Sequence, residues 1–203
     1  MSMIWPGLDP HSAHPRLRPW IVLVLSSILI CLTYLFPPDS LGFWIGWIWV
    51  MYFTLVIVID IEHRLILHPV SLFGALLGLV TGWINHGFWS TLLGGTAGFG
   101  IMLGLYFLGI LFVRLMSRIR NQEIDEIALG FGDVNLSGVI GLLLGWPGVL
   151  AGLVGAIILG GIVSGFYLVW QALHKKYQAF SALPYGPFLA LGAMFLLFLA
   201  GLL

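Results

Sequence analysis

Long apolar runs separated by short polar links make up almost the whole chain. Seven such runs can be distinguished: Trp20–Phe36, Leu41–Ile59, Val70–Ile84, Thr91–Val113, Val134–Trp146, Val149–Ala172 and Phe188–Leu203. A helix needs about 17 to 25 mostly apolar residues to cross a bilayer. The pattern therefore predicts an all-α polytopic membrane protein with about seven transmembrane helices.

The fifth run is the exception in length. As a helix, Val134–Trp146 would extend only about 20 Å, whereas the hydrocarbon core of a bilayer is about 30 Å thick. Its beginning is therefore expected to be recessed among neighbouring helices, the setting in which irregular backbone is tolerated at membrane depth. If this run does not span, six helices remain.

Composition supports a membrane protein and excludes several other classes. Hydrophobic residues make up 60% of the chain and charged residues 8%, more apolar side chain than a soluble domain of 203 residues could bury. A formal net charge of zero argues against a nucleic-acid partner. The single cysteine, Cys31, and the absence of H-x-x-x-H spacing between His63 and His68 predict no disulfide framework, no metal site and no cofactor.

The chain divides into a short tail and one membrane-embedded domain. Residues 1–19 contain four prolines and are expected to form an irregular tail. Residues 20–203 form the single domain. No small-residue cleavage pattern follows the first run, so we interpret it as a retained helix and not as a signal peptide.

Basic residues give the expected orientation. With the tail in the cytoplasm, the tail, the link after Asp60, the polar stretch Ser117–Leu129 and the link at His174 all lie on the cytoplasmic side. These segments and their edges contain all eight basic residues: Arg16, Arg18, Arg64, Arg114, Arg118, Arg120, Lys175 and Lys176. Because cytoplasmic loops accumulate Lys and Arg, the N-terminus is predicted to be cytoplasmic.

Two aspartates at the ends of apolar runs are the candidate chemistry. Asp60 closes the second run, and Asp133 follows Gly130 and Gly132 at the entrance to the fifth. The glycines are expected to allow positive φ and close approach of another segment. Two carboxylates brought close together tend to share one proton, so that one acts as a base toward water and the other as an acid toward a carbonyl, which is aspartic-protease chemistry. A shared proton also leaves only one charge to accommodate within the membrane.

Simpler interpretations exist for both acids. Asp133 could be the N-cap of the following helix. Asp60 and Arg64, spaced i and i+4, could form a weak interfacial ion pair, and Glu62 could be a solvated interfacial acid.

Three segments, taken in order, resemble a known family. They are Asp60–Pro69 (DIEHRLILHP), Gly130–Val134 (GFGDV) and Leu183–Gly192 (LPYGPFLALG). Together they resemble the prepilin peptidases, or type IV leader peptidases, which are intramembrane aspartic proteases of the GxGD kind. The resemblance extends from about Leu41 to the C-terminus.

The resemblance implies a catalytic pair, Asp60 and Asp133. Further residues of the same motifs would shape the site: Gly130, Gly132, Glu62, Arg64, Pro69, Pro184, Gly186 and Pro187. Such enzymes act in the bacterial plasma (inner) membrane and need no cofactor. They cut the basic leader from prepilins or pseudopilins at the cytoplasmic face, so the implied partners are such a substrate and the lipid bilayer. Nothing in the sequence indicates an oligomeric state.

The chain also departs from the family pattern. Larger members have a cytoplasmic insert with C-x-x-C pairs after the first helix, where only Pro37–Leu41 stands here, so methyl transfer is not expected. Asn135 occupies a position at which many relatives have lysine. The alternatives are a presenilin-like protease, a non-catalytic homologue and a proton-coupled transporter. Presenilin-like proteases usually have a tyrosine before the first aspartate, where this chain has Ile59. The inverted repeats expected of a proton-coupled transporter are not evident in the sequence.

Glycines recur at four-residue spacing, which lets membrane helices approach closely. The pattern includes Gly74, Gly78 and Gly82, as well as the pairs Gly42 and Gly46, Gly94 and Gly98, Gly100 and Gly104, Gly141 and Gly145, and Gly161 and Gly165. It predicts tight helix packing and does not distinguish among functions.

The orientation can be tested with fusions to the C-terminus. With seven spans and a cytoplasmic N-terminus, a reporter fused after Leu203 should be active if it works outside the cytoplasm and inactive if it needs the cytoplasm. Cytoplasmic activity of this fusion would contradict the seven-span topology.

Overall fold

The computed structural model describes residues 42–63, 65–120, 129–173 and 185–199, together with residue 27. These ranges contain six helices and no strand: α1 (Gly42–His63), α2 (His68–His86), α3 (Phe88–Arg120), α4 (Phe131–Leu144), α5 (Gly148–Leu173) and α6 (Gly186–Leu199). The all-α prediction is confirmed for this part of the chain. The N-terminal tail lies outside it, as does the first predicted run apart from residue 27.

Three of these helices are long and apolar enough to cross a membrane. They include Gly42–His63 of α1, Phe88–Ile119 of α3 and Gly148–Trp170 of α5. Helices α4 and α6 are shorter apolar helices. The protein is therefore a helical protein suited to a membrane, while the count of seven spans and the orientation stay predictions.

The short helix α4 lies at the centre of the packing. It contacts α2, α3, α5 and α6, with its largest contact on α3. The side chains of Val134, Leu136, Val139, Ile140 and Leu143 are at most 1% exposed. A helix too short to span is thus enclosed by its neighbours, as the length of the fifth run predicted.

Glycines bring the backbones of α3 and α4 into contact. A Cβ atom at Gly94 would collide with the backbone of Gly141 and Gly145, and one at Gly98 would collide with the carbonyl of Ser137. Gly145 also has a φ of +64°, which favours glycine at the end of α4. Small residues at a helix interface permit this close approach.

Helix α2 packs through its glycines too. Gly78 and Gly82 face Leu142 of α4, and Gly74 lies against the Tyr52 ring of α1. By contrast, the pairs Gly100 and Gly104, and Gly161 and Gly165, face open space. Four-residue spacing therefore marks an interface at some of the predicted positions and not at others.

Several predicted helix ends were wrong because the apolar stretch ends before the helix does. Helix α1 continues to His63, so Asp60 lies within its last turns. Helix α3 runs from Phe88 to Arg120, which makes residues 117–120 helical and not part of a loop. Arg and Met are good helix formers, and a helix can continue past the apolar region with polar residues exposed. Helix α6 begins at Gly186, so Pro187 is its second residue, a position where the missing N–H is not needed.

A pair of matched substitutions tests the α3–α4 contact. Gly94→Ala should destabilise the protein by about 1 to 3 kcal/mol because the added methyl group meets the α4 backbone. Gly104→Ala, in the same helix but in open space, should be neutral or stabilising by up to about 1 kcal/mol. Unfolding in detergent would measure both. Equal stability of the two variants would contradict the packing described for α3 and α4.

Candidate functional site

Asp60 is buried at the end of α1 against the beginning of α6. The residue is only 4% exposed. The backbone N–H of Gly186 donates a 3.0 Å hydrogen bond to Asp60 Oδ2, although the two residues are 126 positions apart. The first N–H groups of a helix have no partner within it. The carboxylate therefore accepts a hydrogen bond from an N–H group that has no partner within α6.

Gly186 has to be glycine for this contact. A Cβ atom at this residue would lie 2.5 Å from Asp60 Oδ2 and 2.9 Å from its carboxyl carbon. The next residue, Pro187, is buried in the first turn of α6. Of the three predicted site residues in this segment, Gly186 touches an aspartate directly, Pro187 is the second residue of α6, and Pro184 lies outside the described residues.

Asp133 is buried at the beginning of α4, where it is 6% exposed. The backbone N–H of Gly130 donates a 3.0 Å hydrogen bond to Asp133 Oδ2. In return, the Asp133 N–H donates to the carbonyl of Gly130 at 3.1 Å. One turn further, the Ser137 hydroxyl donates to the Asp133 carbonyl at 2.7 Å.

The interpretation of Asp133 as the N-cap residue of α4 is therefore wrong. Gly130 is the N-cap of α4, and Asp133 is the third residue of the helix. Its carboxylate reaches back to the N–H of the N-cap residue, as the acid of a capping box does. The carboxylate thus has a structural role at the helix start, and this role also fixes its orientation.

The glycines before Asp133 act through close approach and not through positive φ. Gly130 has a φ of −82° and Gly132 is helical, so the expectation of positive φ was wrong. A Cβ atom at Gly132 would lie 2.8 Å from Ile66 Cβ and 3.1 Å from the Ile66 nitrogen. At Gly130 the nearest contact would be an ordinary 3.6 Å. Gly132 therefore lets the extended segment 65–67 cross the first turn of α4.

The two aspartates are coupled electrostatically. Both are buried, and the charge of Asp60 acts on Asp133. Each carboxylate has one oxygen held by a glycine N–H, from Gly186 for Asp60 and from Gly130 for Asp133. Two buried acids in this relation cannot both ionise without a large penalty, so the pair is suited to hold one proton.

Tyr185 adjoins the residue that binds Asp60 and was not among the predicted site residues. It directly precedes Gly186, and its carbonyl accepts hydrogen bonds from the N–H groups of Phe188 at 3.0 Å and Leu189 at 3.3 Å. Burial raises the pKa of the Tyr185 hydroxyl, and the negative charge of Asp133 raises it further. Its place in the Pro-Tyr-Gly-Pro segment was the available signal.

Of the remaining predicted residues, the structure describes Glu62 and Pro69. Glu62 is exposed two residues after Asp60, with His63 Nε2 at 3.8 Å from Glu62 Oε2. Pro69 is exposed in the first turn of α2. Arg64 is outside the described residues, so its pairing with Asp60 is not tested. Within the described ranges, no three His, Cys, Asp or Glu side chains converge as a metal site would require.

Asn135 faces a different region from Asp133. It lines an apolar groove of about 800 Å³ between α2, α3 and α4, together with Ser71, Leu72, Phe99 and Leu142. Residues two positions apart on a helix point to nearly opposite sides. The substitution at Asn135 therefore changes this groove and not the immediate surroundings of the Asp133 carboxylate.

A comparison with known proteins identifies the family. The model of the type IV leader peptidase family matches residues 47–165, more than half of the chain, and this range includes Asp60 and Asp133. No curated protein and no solved structure matches the chain. With its family match and its membrane-suited helices, the chain belongs to the type IV leader peptidase family.

Proposed function

We propose that this protein is an intramembrane aspartic endopeptidase that uses Asp60 and Asp133 as its catalytic pair. The observation that supports the proposal is that both acids, from α1 and α4, are buried and that each accepts a hydrogen bond from a glycine N–H at a helix start, with the charge of Asp60 acting on Asp133. The family match supports a peptidase of the leader-peptidase type.

The pair would work with one proton between its two carboxyl groups. The ionised carboxylate takes a proton from a water molecule, and the water oxygen attacks the carbonyl carbon of the substrate peptide. The protonated carboxyl group gives its proton to the carbonyl oxygen. In the second half of the reaction the C–N bond breaks, and the leaving nitrogen receives a proton from the pair.

The glycine contacts would orient both groups for this exchange. A carboxylate that accepts a backbone hydrogen bond has a fixed plane, and proton transfer requires an approach within hydrogen-bond distance. Gly186 and Gly130 are backbone donors, so they fix the carboxyl groups without adding a side chain to the site. Burial strengthens these contacts because the surroundings are of low dielectric.

We infer that the substrates are prepilins or pseudopilins, cut at the cytoplasmic face of a bacterial plasma membrane. The segregation of basic residues supports a cytoplasmic position for both aspartates. Methyl transfer is not part of the proposed activity, because the internal insert associated with it in larger members has no counterpart between the first two apolar runs.

Asparagine substitutions test the catalytic pair. Asp60→Asn and Asp133→Asn should each lower cleavage of a pilin-like substrate by at least about 100-fold, because an amide can neither take the proton from water nor return one. The amide oxygen can still accept the N–H of Gly186 or Gly130, so both variants should remain folded. Cleavage would be measured at equal protein levels in the membrane. A rate near that of the unsubstituted protein for either variant would refute the assignment.

The glycines before Asp133 give a second, matched test. Gly132→Ala should strongly reduce activity and destabilise the protein by about 1 to 3 kcal/mol, because its methyl group meets Ile66. Gly130→Ala keeps the N–H that binds Asp133 and has room for its methyl group, so it should lose at most about 1 kcal/mol as a poorer N-cap. Cleavage assays and unfolding in detergent would compare them. Equal losses at both positions would contradict the proposed role of Gly132.

A further inference from the structure

Tyr185 is held between two helices at the edge of the aspartate pair. Its ring packs edge-on against Phe188, with ring centroids 6.3 Å apart. On the other side, a Cβ atom at Gly160 of α5 would be 3.4 Å from Tyr185 Cε2. Its carbonyl caps the start of α6 through Phe188 and Leu189. The ring therefore has a defined position immediately before the residue that binds Asp60.

The Tyr185 hydroxyl is a hydrogen-bond donor for which the described residues supply no acceptor. The charge of Asp133 acts on it. The raised pKa of this hydroxyl keeps it protonated, and hence able to donate, across the physiological range. Because the next residue, Gly186, binds Asp60, the hydroxyl belongs to a residue at the proposed site and can donate to a group bound there.

We propose that the Tyr185 hydroxyl donates a hydrogen bond to the carbonyl oxygen of the scissile peptide and to the oxygen of the tetrahedral intermediate. This assignment depends on the proposed aspartic-peptidase function and names a third catalytic residue for it. A fixed donor aimed at an oxygen on which charge develops stabilises the transition state more than the bound substrate.

The hydroxyl keeps its own proton throughout the reaction. When water attacks, its oxygen forms a bond to the carbonyl carbon, the carbonyl π electrons move to the oxygen, and the protonated aspartate supplies the proton to that oxygen. Tyr185 polarises the carbonyl before attack and shares the developing negative charge during it. No oxidant, cofactor or further reactant is needed.

The direct test is Tyr185→Phe, which removes the hydroxyl and retains the ring contacts with Phe188 and Gly160. We expect kcat to fall by about 100-fold with little change in KM, as for the loss of one donor to an oxyanion. Tyr167→Phe, which removes a hydroxyl from α5 next to Trp170, is the control and should leave kcat unchanged. A kcat for Tyr185→Phe within about twofold of the unsubstituted protein would overturn the proposal.

A peptide inhibitor with a hydroxyl-bearing tetrahedral carbon in place of the scissile carbonyl separates a catalytic role from a structural one. Tyr185→Phe should weaken this inhibitor in parallel with the fall in kcat/KM, while the KM of the normal substrate stays nearly constant. A fall in kcat with unchanged inhibitor affinity would show a structural role and overturn the proposal.

Two further measurements keep the result unambiguous. If Tyr185→Phe does not fold, 3-fluorotyrosine at position 185 retains the size of the ring but loses its proton more readily. A more acidic hydroxyl is a stronger hydrogen-bond donor, so kcat and the affinity for the tetrahedral inhibitor should change together, and no change in either would overturn the proposal. Asp60→Asn assayed in parallel distinguishes the two hypotheses: its full activity would refute the peptidase mechanism itself, whereas its inactivity beside an active Tyr185→Phe would refute only the role of Tyr185.

Discussion

One hydrogen bond, from the Gly186 N–H to Asp60 Oδ2, joins the region that the family model matches to a helix beyond that region. It attaches the end of α1 to the beginning of α6, and it requires a residue without a side chain at position 186. The position of Tyr185 follows from it, because that residue directly precedes the donor. The proposed site therefore depends on a long-range backbone contact as much as on its two acids.

The short helix α4 can present Asp133 only because its neighbours approach so closely. Gly94 and Gly98 of α3 and Gly78 and Gly82 of α2 meet α4 directly, and Gly132 admits the extended segment before α2. Dispersion contacts and small residues hold such an interface where the surrounding lipid is as apolar as the side chains. The fixed position of α4 in turn gives Asp133 a single place relative to Asp60.

Local patterns in the sequence were sufficient for the class of fold, and they singled out the two acids on which the proposed site depends. The apolar runs located every described helix, and the shortness of the Val134 run predicted its enclosure. Helix ends were less accurate, since α1 and α3 continue beyond their apolar residues. The contacts of Gly132 with Ile66 and of Gly186 with Asp60 could not be inferred, because each joins segments distant in the sequence and depends on tertiary packing.

The contact of each carboxylate with the beginning of a helix has an electrostatic consequence. The N-terminus of an α-helix carries a macrodipole charge of roughly +0.5, and α4 and α6 each direct a backbone N–H from this end, or from its cap, to one carboxylate. Both helix beginnings therefore direct positive charge to a pair that holds a negative one, while the end of α1, where Asp60 itself is attached, carries the opposite sign. The peptide backbone thus contributes to the charge balance of the site, and not only to its geometry.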